Sequence, residues 1–328
     1  MTATSPDVDA NEPRLKHFPV SFFAVIMGMA GLTLATQRLQ HTLGSHALFP
    51  LALLAITIVC FIAVATLYAV KAMRHPTDIA WEWNHPVRIS FFPTISVSLV
   101  LIGTAMAKAA PGIMAMTIWG IGALLHLVGT LAVVSAWIGH RPFEALHINP
   151  AWFIPAVGNI IVPIAGAEFG FIEISWFFFS VGLVFWVVLL TLVFNRLIFH
   201  NPLPDKLMPT LVILIAPPAV GLIAYEQLTG ELDVFARILY NAAILFFLII
   251  AAQATKLRRL PFALSWWAYS FPIAAFTIAT FIFAEKSGSA LHQKAGIALY
   301  ALLCAVILLL IWKTVTAIRK GAVCVPEG

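Results

Sequence analysis

Residues 209–259 read PTLVILIAPPAVGLIAYEQLTGELDVFARILYNAAILFFLIIAAQATKLRR. This stretch joins a short apolar segment, interrupted by Pro217, Pro218 and Gly221, to a longer unbroken one that ends in Lys and Arg. The same order recurs in four more segments, which begin near Pro19, Pro86, Pro150 and Pro261. A repeat of about 50 to 65 residues indicates a supersecondary unit used several times, and the unit here is a pair of membrane-spanning helices.

The composition excludes a soluble globular protein. Hydrophobic residues make up 61% of the chain and charged residues 10%, and the mean hydropathy is +0.97. In soluble domains charged residues make up about 25%. Ten segments are apolar enough to cross a bilayer: 19–36, 48–73, 89–107, 112–137, 151–167, 173–197, 208–226, 233–255, 263–284 and 290–318. We therefore predict an all-α integral membrane protein whose ten transmembrane helices form five helical hairpins.

The cations predict how the chain is oriented. Fourteen of the 19 Lys and Arg residues fall on one side of the predicted spans, and such residues are retained in the cytoplasm. We expect a bacterial plasma (inner) membrane protein with a cytoplasmic tail at 1–16, a channel domain at 17–320 and a second cytoplasmic tail at 321–328. The excess of basic residues is explained by the orientation of the chain in the membrane. No nucleic-acid partner is therefore expected.

The odd-numbered spans are short and interrupted, whereas the even-numbered spans are long and unbroken. Proline removes a helix hydrogen bond, and backbone disturbed in this way is tolerated at membrane depth only inside protein or along a water-filled cavity. The pattern favours a ring in which kinked odd spans line a pore and even spans face lipid. Proline and glycine that serve only close helix packing are the alternative. The kink and pore-lining candidates are Pro93, Pro155, Gly158, Asn159, Pro163, Pro217, Pro218, Ser270 and Pro272, with Arg88 at the cytoplasmic mouth.

The polar residues inside the odd spans are nearly all neutral, which favours a passive channel. A carrier coupled to protons or sodium usually places charged groups at mid-membrane, and a neutral wall with basic mouths suits anions. The sequence shows no metal-ligand grouping, no cofactor motif and no sign of an enzyme; Cys60, Cys304 and Cys324 have no ligand spacing. His126 is interpreted as a hydrogen-bonded core histidine, with a gating or ligand role as the alternative.

Several motifs carry a resemblance to a known family. They are FPVSFFAVIMGMAGL in the first span, HPVRISFFP in the third, NPAWFIPAVGN in the fifth, LTGELDVFARIL before the eighth and SWWAYSFPIAAFTIAT at 265–280. With these, residues 17–318 resemble the tellurite-resistance/dicarboxylate transporter (TDT) family, which includes bacterial TehA proteins and the slow anion channels of plant guard cells.

The resemblance implies a homotrimer with a separate pore in each protomer and five hairpins in quasi-fivefold symmetry. It also implies a phenylalanine gate on the ninth helix, and Phe271 is the matching residue. A large apolar ring at a constriction excludes water and so raises a barrier to ions; a purely packing role for Phe271 is the alternative. We expect a passive channel for small anions such as chloride and nitrate. A proton-coupled transporter of dicarboxylate, sulfite or tellurite-type anions is the alternative.

Overall fold

The computed structural model describes residues 13–45, 47–139 and 143–325, and all regular elements in these ranges are helical. Ten apolar helical segments follow one another, and we number them span 1 to span 10: Val20–Leu43, Phe49–Arg74, Arg88–Ala109, Ile113–Ile138, Pro150–Gly166, Ile172–Phe199, Met208–Thr229, Val234–Ala252, Leu264–Ser287 and Ala290–Arg319. Nine are long and apolar enough to cross a membrane. The prediction of an all-helical membrane protein is confirmed. Span 5 is shorter than the ~20 residues that a perpendicular crossing needs.

The connections are short. A connecting helix, Pro76–Asn84, joins span 2 to span 3, and single helical turns lie before span 1, before span 5 and after span 8. The described ends of the chain lie together, since Arg14 contacts Gly321. We call this the terminal end of the bundle and the opposite end the distal end. The three-part domain division stays a prediction, and residues 1–12 and 326–328 of its tails lie outside the described residues.

Odd and even spans differ in burial as well as in sequence. In spans 1, 3, 7 and 9, between 72% and 89% of an 18-residue apolar stretch is buried inside the protein, against 22% to 28% in the five even spans. Every residue of span 5 except Ile154 is buried. The interrupted helices therefore form the interior, and the unbroken helices cover them with apolar surface.

The packing order closes a ring. Each odd span contacts its two odd neighbours, in the cyclic order 1, 3, 5, 7, 9 and back to 1. Each even span packs against the odd span that precedes it and against the next odd span of the ring. This is the order that a ring of five hairpins requires, while exact quasi-fivefold symmetry stays a prediction.

Each odd span changes its helix type along its length. The terminal ends are 3-10 helix: Val20–Phe22, Arg88–Phe91, Pro150–Trp152, Met208–Ile215 and Leu264–Tyr269. The even spans are unbroken α-helix. The predicted kink prolines lie at the start of α-helical segments: Pro93 precedes Thr94–Ala109, and Pro217 and Pro218 lie in the first turn of Ala216–Thr229. An N–H group in the first turn of an α-helix has no intrahelical acceptor, so proline costs no hydrogen bond there. These prolines lie where the 3-10 segment ends and the α-helix begins.

Glycines allow odd and even spans to approach closely. A Cβ atom at Gly122 of span 4 would lie 2.7 Å from the backbone nitrogen of Val100 in span 3. One at Gly103 of span 3 would lie 2.6 Å from the backbone nitrogen of Trp119 in span 4. Because backbone cannot yield as a flexible side chain can, these positions fix the distance between the two helices.

We expect Gly122→Ala to destabilise the protein by about 1–3 kcal/mol through overpacking against span 3. Gly120 lies on the same helix, and a Cβ atom there would meet no atom within 4 Å. Gly120→Ala is thus the matched control, and we expect it to be neutral or stabilising by up to ~1 kcal/mol through helix propensity. Thermal unfolding of both variants in one detergent measures the difference. Equal stability of the two variants contradicts the packing argument.

Candidate functional site

A cavity lies inside the ring of odd spans. All the residues that line it belong to spans 1, 3, 5, 7 and 9, and each of these five spans contributes at least two. Its wall includes Ser21 and Met27 of span 1 and Phe91 of span 3. The cavity is therefore an axial space that the even spans do not reach.

The wall of this cavity is mostly apolar. Three hydroxyl groups reach it, from Ser21, Thr210 and Ser265, and the other lining residues are apolar or glycine. The Thr210 hydroxyl donates to the carbonyl of Leu207 at 2.6 Å. The buried Ser265 hydroxyl has no hydrogen-bond partner among the described residues, so it can turn towards a guest. Among the described residues, no titratable side chain belongs to the lining.

Phe271 lies on this cavity at a junction in span 9. It is the second residue of the α-helix Ser270–Ser287, directly after the 3-10 turn, and its side chain is half-buried. A Cβ atom at Gly31 of span 1 would lie 3.4 Å from Cδ2 of the Phe271 ring. The ring therefore packs on the bare backbone of Gly31, and no side chain from that position holds it in place.

The predicted pore-lining residues fall into two groups. Gly158, Pro217, Phe271 and Pro272 line the cavity. The others are buried but absent from the lining: Pro93, Pro155, Asn159, Pro163, Pro218 and Ser270. The structure thus brings part of the predicted set together on the axis and places the rest between helices.

The residues behind the wall make hydrogen bonds between helices. The Asn159 amide donates to Oγ1 of Thr130 at 2.9 Å and to the carbonyl of Ala156 at 2.7 Å. The Thr130 hydroxyl in turn lies 2.7 Å from the carbonyl of Pro155, which it can donate to. The Ser270 hydroxyl donates to the carbonyl of Trp267 at 2.6 Å. These side chains satisfy backbone carbonyls in the irregular spans instead of facing the cavity.

Sequence reasoning missed most of the apolar lining. Met27, Phe91, Phe153 and Ile213 line the cavity, yet their residue types do not separate them from the lipid-facing positions. Gly31 was also missed. A glycine in an otherwise bulky helix is a signal of close approach, but its partner on span 9 becomes apparent only from the fold.

His126 lies directly behind the wall. It is fully buried, and its Nδ1 lies 3.0 Å from Oγ of Ser96. Its Nε2 has no partner among the described residues and faces Gly158, where a Cβ atom would lie 2.7 Å away. Gly158 therefore provides the space for the imidazole between spans 4 and 5. This placement agrees with a hydrogen-bonded core histidine.

Arg88 lies near the terminal end of the bundle, where two side chains hold it in place, and it does not belong to the cavity lining. Its Nη1 lies 3.1 Å from Oε1 of Glu82, and its guanidinium lies 4.6 Å from the centre of the Trp81 ring. Glu82 comes from the connecting helix and is fully buried. The predicted mouth cation is thus paired with a carboxylate.

Glu82 accepts hydrogen bonds from three neighbouring elements. Its Oε2 receives Nζ of Lys71 and the hydroxyl of Tyr68, each at 3.0 Å, and Oε1 faces the N–H of Val20 at 3.4 Å. Lys71 is also buried and donates to the carbonyl of Phe18 at 2.9 Å. The cluster therefore joins the terminal ends of spans 1, 2 and 3.

Glu82→Gln should destabilise the protein by about 3–5 kcal/mol, because it leaves the buried Lys71 ammonium without a counter-charge. Asp78→Asn on the same connecting helix is the control. Asp78 is partly exposed, 3.9 Å from His75 Nδ1, and such pairs contribute at most ~1 kcal/mol. Thermal unfolding in detergent compares the two variants. If Glu82→Gln is as stable as Asp78→Asn, the cluster does not hold the terminal end together.

Comparisons with known proteins match nearly the whole chain. The profile of a family described as "SLAC1: Voltage-dependent anion channel" matches residues 17–315. The S-type anion channel SLAH3 of Arabidopsis thaliana is 27% identical over 314 residues, which are 94% of this chain and 49% of that protein. The chain thus spans about half the length of this plant relative.

Two prokaryotic relatives match along most of their length. The tellurite resistance protein TehA homolog of Haemophilus influenzae is 28% identical over 316 residues, which cover 92% of both chains. An uncharacterized transporter of Methanocaldococcus jannaschii is 26% identical over 330 residues, which cover 94% of this chain and 96% of that one.

Proposed function

Because the chain belongs to the SLAC1 family of anion channels and transporters, we propose that it is a passive channel through which small anions such as chloride and nitrate cross the membrane. The expectations of a membrane protein and of a protein that is not an enzyme are confirmed by this membership. The passive mechanism, the permeant ions and the gate are our proposals.

The neutral axial cavity carries the proposal. An anion inside it meets three hydroxyl groups and apolar side chains, and no charged group of the described lining. A site without a fixed counter-charge binds ions weakly, and weak binding permits rapid exit. This arrangement suits a channel better than a carrier, which needs a site that holds its substrate during a conformational cycle.

We propose that Phe271 is the gate. Its ring faces the cavity where span 9 changes helix type. An apolar ring at a constriction disfavours water, and an ion that loses its water there faces a barrier. Because Gly31 has no side chain, span 1 places no Cβ atom of that residue against the ring.

Phe271→Ala should raise anion conductance at least tenfold, which corresponds to lowering the barrier by about 1.4 kcal/mol. Phe276→Ala is the control, because Phe276 lies on the same helix but packs towards Tyr240 and Phe247 instead of lining the cavity. Currents in planar bilayers at matched amounts of folded protein measure the effect. Equal currents from Phe271→Ala and wild type contradict the gate assignment.

Ion selectivity tests the proposed mechanism. With a neutral wall, permeability should follow the ease of dehydration, so that iodide and nitrate pass more easily than chloride, and chloride more easily than fluoride. Reversal potentials under anion substitution measure this order. A sodium permeability near that of chloride contradicts the proposal. Flux that depends on a pH gradient, at turnover far below a channel current, would instead support a proton-coupled transporter of dicarboxylate, sulfite or tellurite-type anions.

We propose further that the protein is a homotrimer with one pore in each protomer, in a bacterial inner membrane with both termini in the cytoplasm. The excess of cations on the terminal side supports this orientation. The outer faces of the even spans expose apolar residues such as Leu124, Val128 and Leu131, which suit lipid and neighbouring protomers. The trimer itself is carried over from the family resemblance.

A further inference from the structure

Three ion pairs connect the odd spans at the distal end. Nζ of Lys286 lies 2.8 Å from Oε1 of Glu226, which joins spans 9 and 7. Nζ of Lys108 lies 2.6 Å from Oε2 of Glu168, which joins span 3 to the end of span 5. The third pair is Arg38 of span 1 with Glu285 of span 9. We call these residues the distal ring: Arg38, Lys108, Glu168, Glu226, Glu285 and Lys286.

Hydrogen bonds extend the contacts of the distal ring. Gln227 of span 7 accepts from Nζ of Lys108 at 3.4 Å and donates to Oε2 of Glu226 at 3.0 Å. Between spans 1 and 3, the Gln37 amide donates to the carbonyl of Ala105 at 2.9 Å. One bonded group thus joins spans 3, 5, 7 and 9, and the Arg38–Glu285 pair joins span 1 to span 9 at the same end, beyond the apolar section of the axis.

Helix geometry places cations of the distal ring above the cavity wall. Arg38 lies 11 residues after Met27, and Lys108 lies 11 residues after Val97, within unbroken α-helix in both spans. Met27 and Val97 line the cavity. Eleven residues are about 20° more than three full turns and rise ~16 Å. Arg38 and Lys108 therefore lie on the same helix faces as the lining residues, about three turns further along.

Span 9 shows a similar alignment. Glu285 lies 14 residues after Phe271 in one α-helix, which leaves it about 40° from the face of Phe271 and ~21 Å above it. The Glu285 carboxylate forms an ion pair with Arg38, and its Oε2 lies 3.8 Å from Nδ1 of His41. The faces that surround the cavity thus lead to charged groups at the distal mouth.

The charges of the ring balance, but its cations stay accessible. The side chains of Arg38, Lys108 and Lys286 are 20%, 35% and 30% exposed. The Nε of Arg38 is buried and has no hydrogen-bond partner among the described residues. An anion can therefore approach three cations from three different spans, while each paired carboxylate weakens the attraction.

We propose that the distal ring is an anion-binding site on the permeation path. Arg38, Lys108 and Lys286 attract a small inorganic anion, and Glu168, Glu226 and Glu285 keep its affinity low enough for release. The inference rests on the proposed axial path, and it adds a charged site at one end of that path.

Chloride currents of Phe271→Ala protein, with and without a change in the distal ring, test the proposal. Lys108→Met and Arg38→Met should each lower conductance about two- to fivefold at ~0.01 M salt and have little effect at ~1 M, where screening acts within about 3 Å. Lys294→Met is the control, because Lys294 is an exposed distal cation on the even span 10. An equal loss in Lys294→Met, or a loss that salt does not relieve, overturns the proposal.

The carboxylates should have the opposite effect. Glu226→Gln should lower the chloride concentration at half-saturation of the current about two- to fivefold, because Lys286 then attracts the anion without a counter-charge. Glu231→Gln is the control, since Glu231 is exposed in the loop between spans 7 and 8 and belongs to no pair of the ring. Unchanged half-saturation in Glu226→Gln overturns the proposal.

A chemical variant separates charge from folding. Lys108→Cys, in a background without Cys60, Cys304 and Cys324, should recover conductance after reaction with a cationic thiol reagent and lose it further with an anionic one. If both reagents act alike, charge at this position does not control the current. Failure of the proposed function has a different signature: Phe271→Ala protein then carries no anion current in any of these backgrounds.

Discussion

The need to satisfy backbone hydrogen bonds inside hydrocarbon governs this structure. An unbroken α-helix satisfies its own backbone groups, whereas 3-10 segments and prolines leave some of them unpaired or poorly aligned. Helices of the second kind are stable at membrane depth only when protein surrounds them. The ring of five irregular helices inside five regular ones is the arrangement that meets this condition for every repeat, and the axial cavity results from it.

The same condition explains where the polar side chains lie. In the middle of the bundle, Asn159, Thr130 and Ser270 bond to backbone carbonyls or to one another. Charged groups join the helices at the two ends instead, around Glu82 at the terminal end and in the distal ring at the other. Ion pairs hold the helices together at the two ends of the bundle, and packing holds them together in the middle. The axial wall therefore needs no charged residues to keep the helices in place.

The sequence predicted the number of helices, their alternation and their burial, because proline content and apolar length are properties of the residue string. It did not predict which side of each odd span faces the axis. A 3-10 segment turns ~120° per residue and an α-helix ~100°, so the change of helix type at Pro93 or Pro217 shifts the phase of all later residues. Within either helix type, consecutive residues point in directions about 100–120° apart, and so Gly158 and Pro217 line the cavity while Asn159 and Pro218, one residue later, do not. The pairing of Arg88 with Glu82 depends on how the connecting helix folds back, and the spacing of six residues does not reveal it.

A neutral cavity between charged ends also has a consequence for the rate of transport. If a fixed cation lay at mid-membrane, low dielectric would strengthen its hold on an anion and slow its release. Charges at a water-exposed mouth are screened, so they raise the local anion concentration without trapping the ion. In the proposed channel, the barrier then depends mainly on how much water the anion loses in the apolar section. If Phe271 is the gate as proposed, a change in the position of its ring beside Gly31 alters that loss, and the pore opens or closes without a large movement of its helices.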